Sequence, residues 1–288
     1  MELNWLIYSI LGLLCLGITD FIKKYMVSRG GNADIFLLLS FCFYPPVFFL
    51  NMLLHSDVGI SNPVLFSGIL LGVINIFIPI GMFLSLKHLD TAFSLVSIRL
   101  ISSFILLFVG VYFLSDQLTL YNIWGFILGA IAIFLLSGVR WKNNISFPIK
   151  GLFGLFLCIT AIVVYNSYYK YLLPDIDLAQ LMFVQFSASI IALFSYNFLC
   201  GNLKNITYDT LRKVFPYAGL VAIFISLYFL YFLPQIFLLG PLSLGYKMLS
   251  YSLAVPIILS IIFFGDPINK TRIFAFILTF LSIFLFLI

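Results

Sequence analysis

Charge is what this 288-residue chain has least of. Only 9% of its residues are Asp, Glu, Lys or Arg and 63% are hydrophobic, whereas a soluble domain carries about 25% charged residues. That excludes water as its natural solvent and leaves a polytopic membrane protein. The two histidines, His55 and His88, stand at the ends of apolar runs, which excludes a His-rich metal centre and argues against a Ser-His dyad inside the membrane. The four cysteines, Cys15, Cys42, Cys158 and Cys200, sit singly in apolar stretches without metal-ligand spacing. They read as small hydrophobes and supply neither a disulfide framework nor redox chemistry. No aspartate-rich metal-diphosphate motif and no Gly-rich phosphate loop is present, and no loop exceeds about 15 residues, so an ATPase domain has no room. No cofactor is expected, and any transport runs on gradients or exchange. The net charge of +5 is scattered over loops rather than gathered on one face, which excludes a nucleic-acid surface.

What is present is apolar length. A spanning helix needs about 20 predominantly apolar residues, and ten segments qualify: 5–27, 33–54, 63–86, 91–114, 120–139, 150–172, 178–200, 211–233, 237–264 and 271–288. The first is preceded by Glu2 alone, with no basic leader and no small-residue cleavage site, and reads as a retained helix. The second five segments repeat the first five. Asp20, Lys24 and Tyr25 return as Asn166, Lys170 and Tyr171, and Leu114-Ser-Asp-Gln-Leu118 returns as Phe264-Gly-Asp-Pro-Ile268. Halves with an odd number of crossings enter the membrane from opposite sides. The expectation is an all-α membrane protein of ten transmembrane helices, built as two inverted five-helix repeats over residues 1–145 and 146–288. Inverted repeats are the architecture of secondary transporters, with the substrate site between the repeats near the midplane.

Lysines and arginines fall on alternate sides unequally. The loops after odd-numbered spans hold Lys23, Lys24, Arg29, Lys87, Arg140, Lys142, Lys150, Lys204, Arg212, Lys213, Lys270 and Arg272, while the other side holds Lys170 alone. The positive-inside rule places the first set in the cytoplasm and both termini outside, in a multi-pass protein of the plasma or inner membrane.

Charges inside the membrane cost about 2.5 to 3.5 kcal/mol each on insertion scales and mark functional sites by default. Arg99 lies in the fourth span and Lys247 in the ninth, its approximate repeat partner; two buried cations on paired helices point to an anion between them. Snorkelling or pairing with Asp20 is the competing structural account. Asp20, Lys23 and Lys24 share one helical face by their spacing, so Asp20 partly neutralises the lysines and is also a candidate proton or cation site. Its repeat partner, Asn166, is neutral. Asn75, Gln185, Tyr165, Tyr168, Tyr246 and Tyr251 are further polar groups on spans expected to line a cavity, each equally suited to an interhelical hydrogen bond. Gly68 and Gly72, like Gly125 and Gly129, form small-residue surfaces for close helix packing, with a dimer seam on the fifth span as the alternative. Pro79 and Pro234 are expected to interrupt helices at corresponding points of the halves. Asp116 and Asp266 read as turn residues before the last span of each half, with Thr119 and Asn269 as N-caps.

Leu114-Ser-Asp-Gln-Leu-Thr119, followed by Gly125, Gly129 and Leu136-Ser-Gly138, together with Asp266-Pro-Ile-Asn269, resembles the ten-helix EamA-like branch of the drug/metabolite transporter superfamily over the whole five-plus-five chain. The resemblance implies a carrier alternating access between two four-helix bundles while the fifth and tenth helices support or dimerise. Branches that carry organic phosphates use cations on the equivalents of the fourth and ninth helices, which matches Arg99 and Lys247. Two departures stand out: the family's turn acid is Glu where both halves here have Asp, and ten-helix members are drawn with cytoplasmic termini, opposite to the charge count. The expected function is a secondary transporter, not an enzyme, of a small anionic or zwitterionic metabolite, its site drawn from Arg99, Lys247, Asp20, Lys24, Asn75, Asn166, Gln185 and Tyr246. The alternatives are a flippase for a lipid-linked phosphate or sugar and an accessory membrane subunit. The partners expected are a small-molecule substrate and the bilayer, with no nucleic acid and no metal; proton or cation coupling and a homodimer stay open.

Overall fold

The structure, a computed structural model, describes residues 4–55, 59–89, 91–136, 148–199, 207–264 and 270–286. Asp266, Asn269, Cys200, Arg140, Lys142 and Lys204, named above, lie outside them. Every regular element among the described residues is helical: α1 (Asn4–Ser28), α2 (Ala33–His55), α3 (Asn62–His88), α4 (Thr91–Phe113), α5 (Leu120–Leu136), α6 (Ile149–Leu172), α7 (Leu178–Leu199), α8 (Tyr208–Leu227), α9 (Leu233–Leu239), α10 (Leu242–Ser250), α11 (Ala254–Phe264) and α12 (Lys270–Leu285). Helix is what a chain in lipid must form, because each backbone donor then finds its acceptor within the same segment. A π-turn at Tyr228–Phe232 joins α8 to α9, and a 3₁₀ turn at Tyr251–Leu253 joins α10 to α11. Eight helices are long and apolar enough to cross a membrane, the last two running Tyr208–Leu239 and Leu242–Phe263. The chain is therefore built as a multi-span membrane protein. α5 is apolar but shorter, and α12 is shorter still.

Prolines act differently from the expectation. Pro79 lies inside α3 and Pro45-Pro46 inside α2, and neither helix stops there. Pro234 does not end its span either. It occupies the first turn of α9, just after the π-turn, whose shifted hydrogen-bond pattern absorbs the missing N–H. The break falls instead at Gly240 (φ −124°, ψ 166°) and Pro241 (φ −66°, ψ 140°), because proline forces its predecessor out of the helical region. The 3₁₀ turn sits one turn ahead of Pro256, where the Ser252 carbonyl has lost its helical donor.

Nearly all the principal packing joins one half of the chain to the other. α3 packs on α6 and α7, α2 on α7 and α8, α4 on α10 and α6, α5 on α12, and α1 on the run from α8 to α11. Glycines permit the closest approaches. A Cβ at Gly81 would lie 2.7 Å from both Cys158 N and Gly154 O, and one at Gly154 would lie 2.7 Å from Ser85 N, so α3 and α6 meet backbone to backbone. Gly68 and Gly72 face Val184, Gln185 and Ala188 of α7, and Gly125 and Gly129 face Ser282 and Phe286 beside α12 and Tyr251. Both glycine pairs thus serve contacts within the chain.

Candidate functional site

Serines set the register of the central helix pair. Ser103 Oγ of α4 meets Ser250 Oγ at 3.0 Å, and Ser102 Oγ meets the Tyr246 hydroxyl at 3.1 Å, both on α10. Small hydroxyl side chains let membrane helices approach and bond across the gap. The register brings Tyr246 within electrostatic reach of Arg99, one turn before Ser103 on α4. From α1, Asp20 reaches the same guanidinium at 3.6 Å and takes Lys23 at 3.0 Å. Tyr228 of the π-turn lies within electrostatic reach of Arg99.

One carboxylate therefore serves two cations, and the trio of Asp20, Arg99 and Lys23 keeps a surplus positive charge. These side chains are not sealed. Arg99 is 20% exposed, Asp20 26% and Lys23 39%, rising towards the end of the bundle where α1 finishes and α4 begins. Charges in membranes face water or one another, and here Asp20 lies between the two cations. Lys24 lies beyond, donating to Ser260 Oγ at 2.9 Å on α11.

A second polar group lies beside the first. Gln185 Nε2 of α7 donates to the Tyr165 hydroxyl at 2.8 Å, and Tyr165 stacks on Tyr169 with centroids 5.8 Å apart. Gln185 Oε1 and the Tyr169 hydroxyl are buried without a hydrogen-bond partner. Tyr228 links the groups, lying within electrostatic reach of Tyr165, Tyr246 and Arg99.

Arg99, Asp20 and Tyr246 thus meet. Lys247 takes a different partner: wholly buried, its ammonium lies 4.4 Å from the centroid of the Phe126 ring of α5 and has no hydrogen-bond partner. Neighbours on a helix point about 100° apart, so Tyr246 can face Arg99 while Lys247 faces α5. Asn166 spends its amide on the Ile162 carbonyl at 2.7 Å, and Asn75 is buried within α3. Tyr168 meets Ser67 at 3.0 Å and Tyr251 bonds to Ser282.

The turn acid Asp116 does more than start a helix. Thr119 and Asn122 cap α5 reciprocally, as expected of Thr119 (Asn122 N to Thr119 Oγ1, 3.2 Å; Thr119 N to Asn122 Oδ1, 3.0 Å). Asp116 instead crosses to the other half. Its Oδ2 accepts from Ser243 N at 3.1 Å and Ser243 Oγ at 3.0 Å, and its Oδ1 lies 3.3 Å from Lys170 Nζ. Tyr228, Ser102, Tyr169 and this crossing were missed from the sequence. Their only signal was a hydroxyl or acid in an apolar setting, which is shared by many residues that do nothing of the kind.

No family model matches the chain, and no curated protein matches it. Among solved structures, a crystal structure of a protein bearing no functional name aligns over 99% of this chain and 98% of its own, with a TM-score of 0.74 and 11% identity. That likeness shows a shared fold across the whole chain.

Proposed function

We propose that this protein is a secondary transporter of a small anionic or zwitterionic metabolite, working by alternating access and related to the EamA-like branch of the drug/metabolite transporter superfamily. The observation that carries this reading is the Asp20–Arg99–Lys23 group: a surplus positive charge held between α1 and α4 by side chains that keep 20% to 39% exposure. Arg99 takes the substrate's anionic group through its planar donor fork, Tyr246 orients it, and Asp20 is the resident counter-ion it displaces. Gln185, Asn75, Asn166 and Lys24 shape the space around the remainder of the molecule. Lys247, turned to Phe126, supplies a second cation one residue from Tyr246 on the same helix.

The packing supports the ten-helix inverted repeat. Counting α8–α9 as the eighth span and α10–α11 as the ninth, exchanging each span for its counterpart five places away turns the α3–α6 contact into α1–α8, α3–α7 into α2–α8, and α4–α6 into α1–α10. The α2–α7, α4–α10 and α5–α12 contacts map onto themselves. With an odd number of spans in each half, such an exchange supports an in-plane pseudo-two-fold axis.

The test begins with a thermal-shift screen of purified protein against anionic metabolites, because a ligand stabilises the state it binds. The ligand found is then followed into proteoliposomes. Arg99→Ala is expected to lower uptake at least about 100-fold, in keeping with a charged hydrogen bond worth about 3 kcal/mol, while the protein stays monodisperse. Uptake unchanged in Arg99→Ala sinks the anion site.

A further inference from the structure

We infer that Asp116, Lys170 and the first turn of α10 form a gate that seals one end of the substrate pathway and must part in each transport cycle. This rests on the carrier reading. Five polar contacts meet where α4 and α6 finish and α10 starts. Besides the bonds of Asp116 to Lys170 and Ser243, Lys170 Nζ donates to the Gly240 carbonyl at 3.0 Å, and Asp116 N donates to the Gly110 carbonyl at 2.9 Å. Asp116 follows α4, Lys170 lies in the last turn of α6, and Gly240 and Ser243 flank the start of α10, so the cluster ties three helix ends together at one end of the bundle.

Its placement suits closure. Asp116 retains 4% exposure and Lys170 17%, against 26% and 39% for Asp20 and Lys23. Leu106, on α4 between Arg99 and Asp116 in sequence, is fully buried, and Leu242 and Phe237 beside the cluster are buried too, an apolar layer next to a charged latch. The chemistry suits release. The N-cap position of α10 is Pro241, which offers no side-chain acceptor, so its first-turn donors depend on a carboxylate from the opposite half. Such a bond is strong while dry, because charge-assisted hydrogen bonds strengthen in low dielectric. It is replaceable once water enters from that end, since water satisfies the same donors. Arriving solvent and a parting gate therefore favour each other. Lys170 is also the single basic residue that the charge count puts on that face, so no neighbouring cation competes for Asp116.

Local geometry holds the carboxylate in place. Ser115 adopts a left-handed φ of 57°, which turns the chain back after α4, and Asp116 is seated directly against Gly110, where a Cβ would press on its carboxylate. That fit explains why Asp rather than the longer Glu occupies the turn.

The experiment uses the full chain with Cys15, Cys42, Cys158 and Cys200 replaced, and two single-cysteine reporters: Leu106→Cys beneath the gate and Lys23→Cys near the end of α1. A membrane-impermeant maleimide is applied to right-side-out and inside-out vesicles. With the gate intact, Leu106→Cys is protected from the gated face. Asp116→Asn or Lys170→Met is expected to raise its labelling about tenfold from that face and slow Lys23→Cys by a similar factor, the reciprocal change of a shifted two-state equilibrium; Lys170→Arg keeps the protection. If Asp116→Asn fails to fold, Lys170→Met and Gly110→Ala make the same measurement. Protection of Leu106→Cys in every gate variant overturns the inference, and so does faster labelling there with no change at Lys23→Cys, which is local fraying. Failure of the carrier reading appears elsewhere, as wild-type protein that no anion stabilises and that moves none, whatever the labelling rates.

Discussion

A single ammonium poses the sharpest energetic question in the molecule. Lys247 is wholly buried and has only the face of Phe126 for company. A desolvated cation–π contact is worth about 2 kcal/mol, against several kcal/mol per ion for removal from water. The charge therefore opposes the fold that contains it. Lys247→Met keeps the chain length and removes the charge, and it should stabilise the protein by about 1 to 4 kcal/mol, read as a higher melting temperature in detergent. A lower melting temperature would show that the ammonium holds something in place. Asp20 and Arg99 differ in this respect, because each has the other and both keep some exposure. Charges were legible in the sequence because nine-tenths of the chain is uncharged, so each intramembrane ion stood out. Their partners were not. Tyr228 lies in the aromatic run Tyr-Phe-Leu-Tyr-Phe232, where nothing in the spacing separates a tyrosine within reach of Arg99 from one facing lipid.

At the scale of the helix, glycine does more than proline to shape this bundle. The α3–α6 contact depends on Gly81 and Gly154 facing each other at backbone distance, and backbone cannot rotate aside as a side chain does. Gly81→Val should destabilise the fold by about 1 to 3 kcal/mol through overpacking, seen as a lower melting temperature, whereas Gly219→Ala, with open space around its Cβ position, should leave it unchanged. An equal effect at both positions would contradict the close contact. Helix positions followed directly from apolar length, but the helix ends in the second half did not. Pro234 looked like a terminator, and what spared it was the π-turn before it, an insertion with no local sequence mark. Asp116 shows the same limit from the other side: its spacing correctly announced a turn, while the helix it caps starts 126 residues further on, at Leu242.

The whole molecule is one interleaved body. Because α3 packs on α6 and α7 while α1 packs on α8 to α11, neither half can bury its own polar and small-residue faces. Residues 1–145 or 146–288 expressed alone should therefore fail to give monodisperse protein, and the two fragments expressed together should assemble, as read by size-exclusion chromatography. A stable single half would show that the halves are separate domains.

The seam between α4 and α10 belongs to this scale too. Each group in it, Ser102, Ser103, Tyr246 and Ser250, is a hydroxyl able to give or receive a proton. Carboxylates and amides fix which side gives, and sliding one helix past the other would then leave mismatched pairs. The three serines also have a carbonyl of their own helix within reach, at Ile98, Arg99 and Tyr246, so the single proton of each is shared between its own helix and its neighbour, and the seam ties helix geometry to helix register.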